Sequence, residues 1–324
     1  MPAIAVTVLA TAVLVMAAAI FVHEHVLLDG NNNNNVQGPP PADYGSGSMF
    51  DVIARRYDLI NRVLAVGMDT SWRREMVDVI ATSPLVVASS SASSASSSPG
   101  PHILDVATGT ADVALLLAQR IPHAVIIGVD PSAQMLQVGR EKITQTHLDE
   151  RITLHQRDAR VGFGDAVAHP ASMDAATMAF GIRNIVEKQQ ALCHIHAALK
   201  PTATFCILEF SEPDESFGLL GAGARWFIRN VIPTVGGILS GKPREYWHLQ
   251  HSIQDFPTPA EFVRFLQDDV TCDTGTFRVD ELRQLNFGSV QLYVLSTVPK
   301  RTTTTTTIQE TVENGQEQQS AQAA

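Results

Sequence analysis

Four residues near the middle of the chain have the types and spacing to bind a charged nucleoside: Asp105, Gly109, Thr110 and Asp130. They lie in residues 102–130, HILDVATGTADVALLLAQRIPHAVIIGVD. An apolar run at 103–107 breaks into a small-residue turn, a helical apolar pattern follows, and a second apolar run, 124–129, ends in the acid Asp130. Strand, tight turn, helix, strand, carboxylate is the order of half a nucleotide-binding α/β sheet. Asp130 stands 20 residues beyond Thr110, where such a sheet sets an acid against ribose hydroxyls.

The turn narrows the cofactor. A dinucleotide fold needs G-x-G-x-x-G, so that the backbone can approach a pyrophosphate at a helix N-terminus. Here only Gly109 is glycine, between Thr108 and Thr110, with Ala111 next. Asp105, at the end of the first strand, would repel a pyrophosphate but suits the ammonium end of an amino-acid-bearing cofactor. S-adenosylmethionine, a sulfonium without phosphate, fits both features. A nicotinamide or flavin dinucleotide and a plain tight turn in an α/β core are the competing readings.

The elements around these residues alternate. Helical patterns at 133–146 and near 188–199, and strands at 152–155, 173–180 and 204–210, continue the unit. Two longer strands, 277–285 and 289–298, with Phe287 and Gly288 between them, predict an antiparallel pair near the C-terminus. A mostly parallel, Rossmann-like sheet with a C-terminal antiparallel hairpin is the α/β architecture of class I methyltransferases.

With 324 residues and 45% hydrophobic content, the chain can form one large domain plus appendages. The 23 Lys and Arg against 33 Asp and Glu give a net charge of −10 without a basic stripe, so nucleic acid is not an expected partner. Cys193, Cys206 and Cys272 are far apart and odd in number, which predicts no disulfide framework and suits a reducing compartment. Neither they nor the pairs His194/His196 and His248/His251 have metal-ligand spacing, and no metal is expected.

Residues 3–22 form an apolar run interrupted only by Thr7 and Thr11, and the first basic residue is Arg55. A membrane anchor, an unusual targeting segment and a start upstream of the true one, Met49, compete for it. The organisation expected is a leader and low-complexity linker over 1–48, a methyltransferase domain over 49–300 and a disordered tail over 301–324. The Ser/Ala tract 89–98 is expected to be a floppy surface insertion.

Four markers then occur in order. They are Tyr57, Asp58, Asn61 and Trp72; Phe180, Gly181, Arg183 and Asn184; Lys200, Pro201, Glu209 and Ser211; and Ser252 with Phe256-Pro257. On these, residues 49–300 resemble the ubiquinone/menaquinone-biosynthesis C-methyltransferases, including the mitochondrial 2-methoxy-6-polyprenyl-benzoquinol methylases. The resemblance implies S-adenosylmethionine-dependent C-methylation of a polyprenyl quinol, with the demethylmenaquinol reaction and a non-catalytic scaffold as alternatives. It implies peripheral contact with the matrix side of the mitochondrial inner membrane, although the leader is atypical. It also admits a homodimer and contact with other ubiquinone-biosynthesis proteins.

Residue by residue, the resemblance sets Thr110 against the methionine part of the cofactor, and Asp158 and Ala159 against adenine. The flanking Arg157 and Arg160 leave a surface ion pair open for Asp158. Arg183 takes the main catalytic role, as a cation for a developing phenolate or a water that accepts the proton, with Tyr57 and Asn61 behind it. Residues 217–239, apolar and glycine-punctuated with Trp226, are expected to form a lid and an entrance for the polyprenyl tail. The chain departs from the family pattern at Ala111, at Ala179, at Thr202-Ala203 in place of Gly-Gly, and at Asp69 in place of His in His-x-x-Trp.

Overall fold

The computed structural model describes residues 47–65, 67–95, 100–165, 167–213, 215–232, 234 and 251–300. The apolar run 3–22, the end of the Ser/Ala tract, residues 235–239 of the expected lid, residues 246–250 and the tail lie outside the described residues.

Three helices, α1 (Ser48–Leu64), α2 (Asp69–Thr82) and α3 (Pro84–Ala95), precede the sheet. Then come β1 (His102–Val106), α4 (Asp112–Arg120), β2 (Val125–Asp130), α5 (Ala133–Gln145), β3 (Ile152–Gln156), β4 (Met173–Ala179), α6 (Lys188–Ala198) and β5 (Leu199–Phe210). α7 (Gly218–Trp226), α8 (Pro259–Arg264) and the strands β6 (Thr271–Cys272), β7 (Gly275–Leu285) and β8 (Val290–Pro299) complete the described chain. The sheet order is β3-β2-β1-β4-β5-β8-β7-β6. The first five strands run parallel, while β8 pairs antiparallel with both β5 and β7. The expected mostly parallel sheet with a terminal hairpin is therefore present.

Period-two alternation builds a core on each face of the sheet. Phe205 and Ile207 of β5 join Leu192, Ile195, Phe262 and Tyr293 on one side. Cys206 and Leu208 turn to the other, where Trp72, Met76, Ile80 and Leu117 bring in α2 and α4. Burying each such large side chain contributes roughly 1.5–3 kcal/mol. These two layers hold the carboxyl ends of β1, β2 and β4 in register along one edge.

Two expectations are corrected. The first part of the Ser/Ala tract is helical: α3 runs to Ala95, and the Ser89 hydroxyl donates to Asp174 at 2.9 Å. Alanine favours helix, and the core-facing Val86 anchors the segment. Cys193 on α6 and Cys272 on β6 form a disulfide with Cα atoms 5.1 Å apart, so the cysteines are not all free. Their 79-residue separation hid the pairing, because only the sheet's edge brings β6 beside α6.

Candidate active site

The turn after β1 is held in an unusual backbone form. Ala107, Gly109 and Ala111 all have positive φ, at 54°, 55° and 67°. Glycine takes this conformation freely, whereas alanine there strains by roughly 1–2 kcal/mol. Ala111 therefore keeps the turn the family pattern would make with glycine, at the expense of strain. Thr202, at φ 64°, does the same where Gly-Gly was expected.

Asp130 closes the turn from β2. Its Oδ2 accepts from the Gly109 amide at 2.9 Å and its Oδ1 from the Ser132 amide at 2.8 Å. Burial pushes its carboxyl up to about 6, against the pull of those two amides. Asp105 is 1% exposed and accepts from the hydroxyls of Thr108 (2.6 Å) and Thr177 (2.7 Å). Burial pushes it, too, up to about 6. Two acids held uncomfortably together favour an incoming cation.

A cavity opens over this edge. Gly109, Asp130, Asp158, Ala159, Phe50, Tyr57, Phe180 and Ile185 are among the residues that line it. Gly181 in its wall has no room for a side chain, since a Cβ there would come within 2.5 Å of the Ala107 methyl. Asp158 forks onto Arg160, its Oδ2 accepting from Nη2 at 2.7 Å and its Oδ1 from Nε at 3.1 Å; burial raises its carboxyl, but Arg160 outweighs this and holds it below the usual range. The Ala159 carbonyl accepts from His194 Nδ1 at 2.8 Å, which ties this wall to α6.

α1 covers the cavity and is pinned by two polar clusters. Lys142 on α5 bridges Asp58 (2.5 Å) and Asp112 (2.7 Å), while Thr110 donates to Asp58 at 2.6 Å and accepts from Lys142 at 3.0 Å. Asp51 accepts from the Ser132 hydroxyl and from the Gln134 amide at 3.0 Å, at the start of α5. Tyr57 reaches the cavity from α1. Burial raises its phenol, opposed by Arg183, Arg73 and a hydrogen bond from Asn61.

The site read from the sequence is thus assembled only in part. Asp130, Gly109, Asp158, Ala159 and Tyr57 line one cavity. Thr110 does not face it, because its hydroxyl is spent on Asp58 and Lys142. Asp105 lies beneath the turn, where its charge acts without contact. Arg183 sits behind the wall: its Nη1 pairs with Glu209 and donates to the Phe180 carbonyl at 3.0 Å, and its Nε has no partner. Asn61 stands behind Tyr57. Sequence reasoning missed Phe50, Arg73 and Lys142, which act across long sequence separations that no local pattern marks.

The arrangement is matched by known proteins. The model of the ubiE/COQ5 methyltransferase family matches residues 43–288. The chain belongs to that family. It is 38% identical over 216 residues to the ubiquinone/menaquinone biosynthesis C-methyltransferase UbiE of Geotalea daltonii, covering 66% of this chain and 82% of that protein. It is 36% identical over 250 residues to the demethylmenaquinone methyltransferase of Deinococcus radiodurans, covering 76% and 90%. Among solved structures, the pyocyanin biosynthetic protein PhzM aligns with a TM-score of 0.53 at 16% identity, over 87% of this chain and 69% of that one. The CurJ carbon methyltransferase gives 0.50 at 12% identity, over 78% and 61%. These two likenesses show the fold.

As a member of the ubiE/COQ5 methyltransferase family, the chain is an S-adenosylmethionine-dependent methyltransferase, and its residues fit that cofactor. A buried carboxylate at the end of β2 suits a vicinal diol. The two strained acids suit a sulfonium and an ammonium, and the lone glycine of the turn suits a ligand without pyrophosphate.

Proposed function

We propose that the chain methylates a ring carbon of a polyprenyl benzoquinol in ubiquinone biosynthesis. The observation that carries this reading is the mixed lining of the cavity, which brings the carboxylates Asp130 and Asp158 together with the aromatic side chains Phe50, Tyr57 and Phe180. Bound S-adenosylmethionine supplies an electrophilic methyl group. The chain supplies alignment and dryness. Asp130 holds hydroxyls at the polar end, Phe50, Tyr57 and Phe180 press an acceptor ring into line, and the pinned α1 keeps water out. Asn61 orients the Tyr57 hydroxyl, which is placed to hydrogen-bond an acceptor oxygen.

A demethylmenaquinol acceptor is the second reading, favoured by the name of the Deinococcus relative. The test is incubation of the purified chain with methyl-labelled cofactor and each quinol. Label on a benzoquinol ring carbon supports the first reading, and label on the naphthoquinol alone supports the second. Label on oxygen, or none, refutes both.

The same reading sets the chain against a membrane, on the matrix side of the mitochondrial inner membrane, where a polyprenyl tail resides. In support, α7 exposes Leu219 (92%), Leu220 (61%) and Trp226 (46%), side chains suited to an interface. Vesicle flotation of Leu219→Glu/Leu220→Glu should show lost binding with S-adenosylhomocysteine affinity kept. Unchanged flotation counts against membrane contact through α7, and fractionation of source cells tests the location.

A further inference from the structure

Two ion pairs are buried beside the Phe180 and Phe210 rings. Arg183 pairs with Glu209. Arg73, 7% exposed, pairs with Asp69 one helical turn earlier on α2. Between the two guanidiniums runs an aromatic stack. Arg73 Cζ lies 5.3 Å from the Phe180 ring centroid, Phe180 stacks on Phe210 at 4.5 Å, and Arg183 Cζ lies 5.5 Å from Phe210. Phe180 lines the cavity, so Arg73 stands directly behind a ring of its wall.

Stability does not explain the Arg73–Asp69 pair. Desolvation offsets most of the attraction in a buried ion pair, and apolar residues of similar volume do as well. Nor is the pair fully satisfied, since Asp69 Oδ1 is buried with no hydrogen-bond partner. The charges instead follow the site. Asp105, Asp130 and Asp158 gather at the ends of β1, β2 and β3, while Arg73 and Arg183 gather around Phe180 and Phe210. The first group suits a cationic methyl donor; the second suits an acceptor that carries negative charge as it reacts.

We propose that Arg73 is a positioning residue for the methyl acceptor. It fixes the Phe180 ring, whose φ of 58° leaves its placement dependent on its neighbours, and its charge joins that of Arg183 in favouring an ionised acceptor hydroxyl. An ionised oxygen pushes electron density onto the ring carbon. That carbon bonds the methyl carbon, the C–S bond breaks with its pair left on sulfur, and the neutral dienone so formed rearomatises when the site opens, its ring proton passing to solvent. Among the described residues, the charged or titratable groups around Arg73 are Asp69 on its own helix, Tyr57 on α1 and Asp105 on β1, with the Arg183–Glu209 pair across the Phe180–Phe210 stack.

The inference rests on the quinol reading, so its test has one arm with substrate and one without. Turnover and S-adenosylhomocysteine binding are followed across roughly pH 5 to 9 for the full chain and for R73M, R73K and D69N. R73M should move the rising limb of kcat upward by about one pH unit, with product-analogue affinity kept within about threefold. R73K should return the limb, because the charge is restored. D69N uncovers the guanidinium and should move the limb down. Without substrate, the Tyr57 phenolate absorbance, taken as the difference from Y57F and followed into alkali beyond the ordinary phenol value of 10.0, should shift with the same signs. If R73M does not fold, D69N decides alone. Limbs and Tyr57 titration unmoved in the folded variants, or affinity lost in proportion to rate, would overturn the inference. A wild-type chain without quinol turnover strikes the quinol reading instead, and the Tyr57 titration then judges Arg73 by itself.

Discussion

Asp105→Asn should stabilise the cofactor-free protein at neutral pH and weaken its hold on the cofactor. In the folded chain burial raises the carboxyl from 3.8 to about 6. An acid with a raised folded pKa binds protons more tightly when native, so stability falls as pH rises from about 4 to about 6 and stays low above that. Two pH units correspond to about 3 kcal/mol. The neutral amide carries no such penalty, and the Thr108 and Thr177 hydroxyls can rotate to satisfy it, since each both donates and accepts. Urea unfolding of both proteins across this range should give equal stability near pH 4, diverging to about 3 kcal/mol in favour of the variant at pH 7. S-adenosylhomocysteine should bind the variant about tenfold more weakly, because the negative charge buried beneath the turn, which attracts a cationic ligand without touching it, is gone. A stability difference independent of pH, or a variant weaker than wild type at pH 7, refutes the account of Asp105 as a strained buried acid.

Three further outcomes follow from the geometry. Ala111→Gly relieves roughly 1–2 kcal/mol of left-handed strain and loses about 0.8 kcal/mol of methyl burial, so chemical denaturation should show a small net gain. Cys193→Ser opens a 79-residue loop and should cost about 4 kcal/mol, a difference that reductant abolishes because the wild type then loses the same constraint. Asp58→Asn removes the negative charge that Lys142 pairs with and leaves one oxygen where Lys142 and Thr110 now use two. It should speed proteolysis within α1 and weaken S-adenosylhomocysteine by about fivefold, as loss of about 1 kcal/mol predicts; equal cleavage rates would show that α1 is held by packing instead.

The fold was legible because its signals are local. Apolar runs of strand length, a small-residue turn and helical apolar spacing identify β1, α4 and β2 within a single stretch, and the acid at the end of β2 is read from the same stretch. The four ordered markers named the family from residue identity, and Asp130, Gly109, Asp158, Ala159 and Tyr57 line one cavity. What failed were statements about which atom faces which. Thr110 stands beside the cofactor position in sequence, yet its hydroxyl turns to Asp58 and Lys142, the latter 32 residues away.

Only the tertiary structure decided those partnerships. Whether Arg183 meets the acceptor or stands behind Phe180, whether Asp105 touches a ligand or only charges its surroundings, and whether Cys193 meets Cys272 depend on how helices seat on the sheet. Hydrophobic periodicity says that a face is buried; it carries no information about the neighbour across it. A hydrogen bond or ion pair, by contrast, is made or lost over about an ångström, a precision set by the packed core as a whole.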